Sequence, residues 1–173
     1  MAIPKKITKF LDNSKVKYEI IKHRTVYTAF DKSQTLKVKP RIIGKTLVVK
    51  LDKKLAFVLI PADKNLDKKG LKKIAKAKKV DASTSSASTL SSCRRVDFLK
   101  ENQMKKIFKG IKIGATPPFG TLWKINTIVD KKLLLNPKII INSGDYNFSI
   151  KVASGSFKKL IPDLILANIS KKK

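Results

Sequence analysis

Lys45-Thr46-Leu47-Val48-Val49-Lys50-Leu51 and Leu55-Ala56-Phe57-Val58-Leu59-Ile60, joined by Asp52-Lys53-Lys54, form the stretch whose reading decides the fold. Both runs are apolar and rich in β-branched residues, and the interval between them suits a short hairpin loop. They are predicted to pair at the centre of a sheet. Side chains alternate along a strand, so Lys45 shares a face with Leu47, Val49 and Leu51, while Lys50 shares the other with Thr46 and Val48. A cation at the end of an apolar row either reaches the mouth of a pocket or lays its stem on the sheet edge and returns its ammonium to water.

Towards the N-terminus, Ile3, Ile7, Phe10 and Leu11 repeat at helical spacing behind Pro4, and Asn13-Ser14 supplies a stop. A strand is predicted at about 15–22 and a weakly patterned helix over 28–36. Lys39-Pro40 then forces an extended or turning backbone, because the residue before proline avoids helix. Beyond Pro61, residues 66–80 place Leu66, Leu71, Ile74, Ala75 and Ala77 along one helical side and Lys68, Lys69, Lys72, Lys73, Lys76 and Lys79 around the rest. The tract 82–92 is rich in Ser, Thr and Ala and has neither period, so it reads as a loop inside the domain, extending to about residue 95. A helix is predicted from Asp97 to near Gly110, strands near 125–129, 139–141 and 148–152, and a last helix around 157–166. Helices and hairpins mix rather than repeat as βαβ units, and neither a P-loop nor a dinucleotide fingerprint is present.

The chain has 173 residues, 42% of them hydrophobic, enough for the core of one domain. Its 40 Lys and Arg against 12 Asp and Glu give a formal charge of +28. That excess points to a polyanionic partner, with lysine-biased composition and adhesion to an anionic membrane as the competing readings. Most of the excess is Lys, a flexible point charge suited to phosphate backbones and poor at reading bases. One cysteine, Cys93, and one histidine, His23, provide no zinc ligand set. The first residues lack the apolar run of a secretory signal, and no stretch is long and apolar enough to span a bilayer. A soluble, cytoplasmic protein with no cofactor, no membrane partner and no DNA partner is expected.

A second segment, Gly114-Ala115-Thr116-Pro117-Pro118-Phe119-Gly120, combines glycines with adjacent prolines. Proline fixes φ and glycine permits close approach, so the loop is either an ordinary rigid turn or a device that holds backbone groups against a ligand. His23 has no evident Ser or Cys partner, and Cys93 lies among Ser and Arg, so a nucleophile–base dyad lacks support. A lone histidine after a strand is more often structural. Asp130 either caps the turn into Lys131-Lys132 or helps order a pocket.

Together these segments resemble the YbaK-like editing domains, found free-standing and inserted in bacterial prolyl-tRNA synthetases. The resemblance runs from about Tyr18 to Leu164: Tyr18 and His23, the Lys-Thr-Leu-Val-Val strand, Ile60-Pro61-Ala62-Asp63, Gly-x-x-x-Pro at Gly114–Pro118 followed by Phe119-Gly120, Val129-Asp130, and the Ser143-Gly144 turn. It implies a single compact α/β domain over residues 1–173, with a mixed, barrel-like sheet surrounded by helices. It also implies hydrolysis, without a metal, of the ester between a small amino acid and a mischarged transfer RNA. In such domains the lysine matching Lys45 is associated with the acceptor-end phosphate and substrate placement. The loop matching Gly114, Ala115, Thr116, Pro117 and Pro118 orients the ester, and the neighbouring ribose hydroxyl helps activate water. His23, Thr46, Asp130, Ser143 and Gly144 are the further substrate-binding candidates.

Backbone phosphates of tRNA are expected to meet Lys68, Lys72, Lys76, Lys79, Arg94 and Arg95. The chain departs from the family pattern at 82–95, which is longer and more Ser-rich, and at Asn147-Phe148-Ser149, where some synthetase-inserted members carry a histidine that helps select the amino acid. Alanine on tRNA for proline, and proline or alanine on tRNA for cysteine, are the candidate substrates. The alternative is a non-catalytic tRNA-binding relative, or one that partners an aminoacyl-tRNA synthetase.

Overall fold

The apolar stretch forms the predicted hairpin: β2 spans Gly44–Leu51 and β3 spans Lys54–Pro61, after a short helix α1 (Lys5–Asn13), strand β1 (Tyr18–Lys22) and helix α2 (Ala29–Thr35). The computed structural model describes residues 2–77 and 93–173, and of Lys76 and Ala77 only the backbone. The turn is tighter than the sequence suggested, because Lys54 already pairs with Leu51. Asp52 takes a left-handed φ of 54° at the tip, a conformation Asp tolerates. Its carboxylate also accepts the backbone N–H of Arg94 at 3.1 Å and of Arg95 at 2.9 Å.

The hairpin is central because both of its faces are buried. Val49, Leu51, Ala56, Val58 and Ile60 pack on one side against Leu71 and Ala75 of α3 (Lys68–Ala77). On the other side Val48 and Phe57 meet Leu99 and Phe108, while Leu59 joins Ile7 and Leu11 of α1. Ala56 to Ile60 are fully shielded from solvent. Each large aliphatic side chain so buried contributes about 1.5–3 kcal/mol, which makes β3 the strand the fold can least lose.

Around the hairpin lie β4 (Lys64–Leu66), β5 (Val96–Phe98), α4 (Glu101–Ile107), β6 (Asn126–Asp130), α5 (Lys131–Leu134), β7 (Lys138–Asn142), β8 (Phe148–Ala153), α6 (Ser154–Leu160), β9 (Ile165–Ala167) and β10 (Ser170–Lys172). The main sheet has the order β5-β2-β3-β6-β9 and is mixed, antiparallel through β5, β2 and β3 and parallel from β3 to β9. A second sheet, β1-β8-β7, is antiparallel; it packs Ile139, Ile141, Ile150 and Val152 against Leu59 and Val129 of the first, and among the described residues one backbone bridge, between Ile43 and Ile140, links the two. A pair, β4-β10, completes the set. The α/β class with a mixed sheet is as expected, but the strands form separate open sheets rather than a closed barrel.

Three predicted helices give way to strand at an end, each for a local reason. Leu66 belongs to β4 because Asp67 follows it as a cap, its carboxylate accepting the N–H of Lys69 and Gly70, so α3 starts only after it. Val96–Phe98 pairs with Leu51–Val49 instead of opening a helix, since the free edge of β2 offers it a ladder. The last helix stops at Leu160 because Pro162 cannot continue it. The predicted Ser-rich loop at 82–92 lies outside the described residues.

Asp130 ends β6 fully buried, with one carboxylate oxygen accepting the N–H of Lys132 at 2.8 Å and the other that of Ile169 at 2.9 Å. It therefore caps α5 and ties the chain leading into β10 to the main sheet. Asp130→Ala would leave both N–H groups without that partner and is expected to cost roughly 2–4 kcal/mol of unfolding free energy in denaturant titration.

Candidate functional site

Strand β5 pairs with Val49, Lys50 and Leu51, and among the described residues no strand pairs with the same edge of β2 from Gly44 to Leu47. A cavity of about 270 Å³ lies against that open edge, where Lys45, Thr46 and Leu47 all line it despite their alternating faces. Its other walls come from three places: Gly114 and Ala115 of the glycine-proline loop, the segment from Val26 through Ala29 with Lys32 of α2, and Asn142, Asp145 and Tyr146 after β7. Elements far apart in sequence thus converge on one space. A smaller cavity of about 160 Å³, bordered by Thr121, Lys124, Asn126 and Asp163, lies away from all of these residues.

The loop that supplies Gly114 and Ala115 is anchored on both flanks. Gly114 has φ +81°, which favours glycine, and Tyr146 donates its hydroxyl to the Ile113 carbonyl at 2.7 Å. The Gly144 N–H donates to the Ala115 carbonyl at 2.8 Å, and the Gly144 carbonyl accepts from Lys112. From Thr116 onward the loop is buried, and Phe119 packs on Phe10 with ring centroids 5.0 Å apart. Thr46 and Thr116 both hold buried hydroxyl oxygens without a protein partner. Ser143 does not line the cavity; its hydroxyl donates to the Phe148 carbonyl at 2.7 Å and shapes the turn that presents Asp145.

Lys45 stands half-buried at the cavity, its Nζ donating to the Lys64 carbonyl at 2.9 Å. Burial, reinforced by the Lys173 cation and opposed by Asp63, lowers its pKa from the ordinary lysine value. A second lysine, not among the residues singled out from the sequence, stands here. Lys32 is 6% exposed, and its Nζ donates to Asn142 Oδ1 at 2.7 Å. Asn142 in turn donates through Nδ2 to the carbonyls of Gly114 at 3.1 Å and Thr116 at 3.4 Å, so it joins the ammonium to the glycine-proline loop. Among the described residues no carboxylate forms an ion pair with Lys32, and burial pulls its pKa down from 10.5 to about 8. It escapes sequence reading because a lysine on a short helix is normally assigned to solvent. The available clue is that Ala29, Lys32, Ser33 and Leu36 fall at i, i+3, i+4 and i+7, one helical side, while Phe30 is left outside.

His23 does have a serine partner, contrary to expectation. Its Nε2 meets Ser149 Oγ at 2.8 Å, while its Nδ1 bonds the Arg24 carbonyl at 2.8 Å. Ser149 is fully buried and neither residue lines the cavity, so the pair joins β1 to β8 rather than presenting a nucleophile. Burial, partly offset by the Arg24 carbonyl, and the nearby Lys32 cation hold the His23 pKa below its ordinary value. Asp130 also lies outside the cavity lining.

Of the proposed phosphate contacts, Lys68 is exposed and sits over the Phe98 ring at 4.6 Å, and Lys72 is partly exposed on α3. Short strand β4 leads from Lys64, whose carbonyl holds Lys45, to this end of α3. Arg94 and Arg95 lie instead at the hairpin tip, the opposite end of β2 from Lys45, about 20 Å along the strand. The Lys76 side chain and Lys79 lie outside the described residues. Also among these, no cluster of three His, Cys, Asp or Glu side chains could hold a metal ion, and no helix is long and apolar enough to cross a membrane.

The cavity thus brings a strand-edge lysine and a glycine-proline loop together, and the sequence of the same span identifies the family. The aminoacyl-tRNA editing domain family matches residues 23–87 and 81–160, and the chain belongs to that family. The matched span holds every cavity-lining residue. Among solved structures, hypothetical protein APE2540 superposes with a TM-score of 0.78 at 20% identity, over 96% of this chain and 100% of that one. A candidate trans-editing enzyme for prolyl tRNA synthetase superposes with a TM-score of 0.73 at 15% identity, over 98% of this chain and 99% of that one. These likenesses establish the fold. No curated protein matches the chain.

The unpaired burial of Lys32 has a thermodynamic signature. Its folded pKa lies below the unfolded value, so the unfolded chain binds more protons between about pH 8 and 10.5, and stability rises with pH across that window. Below pH 8 the burial penalty is fully present. Lys32→Met removes it and loses the Asn142 hydrogen bond, for a net gain on the order of 1–2 kcal/mol at pH 7. Denaturant midpoints should show that gain shrinking as the pH is raised towards 10.5.

Proposed function

We propose that this chain, acting as one editing-type domain over residues 1–173, is a trans-acting aminoacyl-tRNA deacylase. It hydrolyses the ester that joins a small amino acid to the terminal ribose of a mischarged tRNA. The observation that carries this reading is the meeting of Lys45 with Gly114 and Ala115 around one cavity in a member of the editing family. Alanine on tRNA for proline, and proline or alanine on tRNA for cysteine, are the substrates to try first. The cytoplasm, where tRNA is charged, is the setting we propose.

In this reading Lys45 receives the acceptor-end phosphate, since a half-buried ammonium at the mouth of a cavity pairs with an anion while remaining reachable from solvent. The loop at 114–118 positions the ester. Water adds to the ester carbonyl carbon, the carbon–oxygen bond to the ribose breaks, and the ribose oxygen takes up a proton. A positioned neighbouring ribose hydroxyl would assist the water, which selects RNA over DNA. Positioning and fixed positive charge supply the rate, without a nucleophilic side chain or a metal ion.

Incubation with a panel of mischarged tRNAs tests the activity. Wild type is expected to release the amino acid from at least one small-aminoacyl tRNA, and Lys45→Ala to lose about 10²-fold or more of that rate. Retention of tRNA binding with no release across the panel would favour the non-catalytic reading.

The lysines of α3 supply the polyanion contact. Lys68→Glu with Lys72→Glu should weaken binding to all tRNAs alike and reduce the slope of log affinity against log salt by roughly one per lost phosphate contact. Filter binding over a salt series measures both. An unchanged affinity at low salt would remove α3 from the interface.

A further inference from the structure

Lys32 is the feature that the family reading leaves unexplained. An ammonium almost out of solvent costs several kcal/mol of hydration unless an anion or a full set of acceptors replaces the water. Among the described residues the protein provides one acceptor, Asn142 Oδ1, for a group with three N–H donors. The remaining donors belong to a side chain that lines the cavity beside Lys45, Thr46 and Ala115. An unneutralised cation in a cavity is useful where negative charge appears during a reaction, since a fixed charge in a low-dielectric site needs no reorganisation when that charge develops.

We propose that Lys32 is a second catalytic lysine: its ammonium, positioned by Asn142, donates a hydrogen bond to the ester carbonyl oxygen of the bound aminoacyl-tRNA and stabilises the negative charge that oxygen gains when water adds. The inference rests on the deacylase reading above. In the first step the water oxygen bonds to the carbonyl carbon, the carbonyl π pair moves onto its oxygen, and the water proton passes to solvent, directly or through the neighbouring ribose hydroxyl, which releases its own proton to solvent as it accepts. In the second the pair returns, the bond to the ribose oxygen breaks, and that oxygen takes a proton. Lys32 keeps its own proton throughout.

Geometry separates the two lysines. Lys45 is half-exposed with Nζ on the Lys64 carbonyl, a place suited to a phosphate entering from solvent. Lys32 is the enclosed one, tied through Asn142 to the Gly114 and Thr116 carbonyls, so the loop that orients the ester and the donor that meets its oxygen move together. The ionisable groups around it are His23 after β1, Lys45 on β2, Asp145 and Tyr146 after β7, Tyr27 before α2, and Asp31 on its own helix. Asp145 is the only acid lining the cavity among the described residues. His23, held low, is neutral above pH 7, and burial raises Tyr146. With its pKa near 8, Lys32 is mostly protonated at pH 7 and acts as a donor rather than a base.

The test is single-turnover deacylation by wild type, Lys32→Met, Lys32→Arg and Asn142→Leu over the aminoacyl-tRNA panel, as a function of pH. Lys32→Met should lower the maximal rate by about 10²-fold for every aminoacyl group cleaved, with the half-saturating concentration nearly unchanged. Lys32→Arg should recover part of that loss and Asn142→Leu should show a smaller one. Above the uncatalysed background, the wild-type rate should fall as pH rises through about 8. Lys32→Met should lack that fall, while Lys45→Arg, whose guanidinium does not titrate, should retain it. A Lys32→Met rate close to wild type, a change confined to half-saturation, or an effect on one aminoacyl side chain alone would overturn the proposal while leaving the deacylase reading intact. A wild type inactive on the whole panel would overturn both.

Discussion

Strand β2 is covered on both faces yet paired along its outer edge over only part of its length, and the site depends on that mismatch. Where β5 pairs, at Val49 to Leu51, the strand is ordinary core. Where β5 does not reach, from Gly44 to Leu47, backbone and side chains of both parities face the same space. An unpaired edge normally invites another strand. Here the glycine-proline loop, α2 and the turn after β7 approach it without adding one, and the gap they leave is the cavity.

Asn142 holds that gap in shape. It sits at the end of β7, in a sheet that one backbone bridge links to the main one among the described residues, and spends its carbonyl on Lys32 and its amide on two loop carbonyls. One side chain therefore sets the relative position of helix, loop and sheet. A hydrogen-bond network in a poorly hydrated place strengthens when complete and penalises any missing member. Lys32 and the buried hydroxyls of Thr46 and Thr116 show that the protein alone leaves this one short of partners. The fold accepts lost stability at the place where a substrate would supply what is missing, the usual trade between activity and stability.

The charge of the molecule acts on two scales. A formal +28 raises the local concentration of any polyanion irrespective of its sequence, and it weakens with salt. In the proposed reading the two cavity lysines act at contact distance, and Lys32 does so in a place that screening ions reach poorly. Long-range capture and local chemistry thus use the same residue type in different dielectric surroundings, which is why the composition alone could not separate them.

The hairpin, α1, the seven-residue segment from Gly114 to Gly120 and the family itself were legible in the sequence, because each is encoded by local pattern: β-branched alternation, helical spacing, and residues with restricted or permissive φ. Helix ends were read less well. Val96–Phe98 became strand through the free edge of β2, a partner more than forty residues away in the chain, and local propensity carries no record of it. The same holds more sharply for the site. Lys45 could be singled out because its row of the strand is otherwise apolar, and Asp130 could be suspected as a cap because the residues it caps follow it directly. Lys32, among 40 Lys and Arg, carries only the faint local mark of its place on one side of a short helix; its meaning comes from Asn142, 110 positions on, and from the burial that the two share. The sequence by itself determined the central hairpin, the loop and the kinship, since these follow from near neighbours. The tertiary structure alone decided which lysine is deprived of water, because desolvation depends on everything that packs around a group.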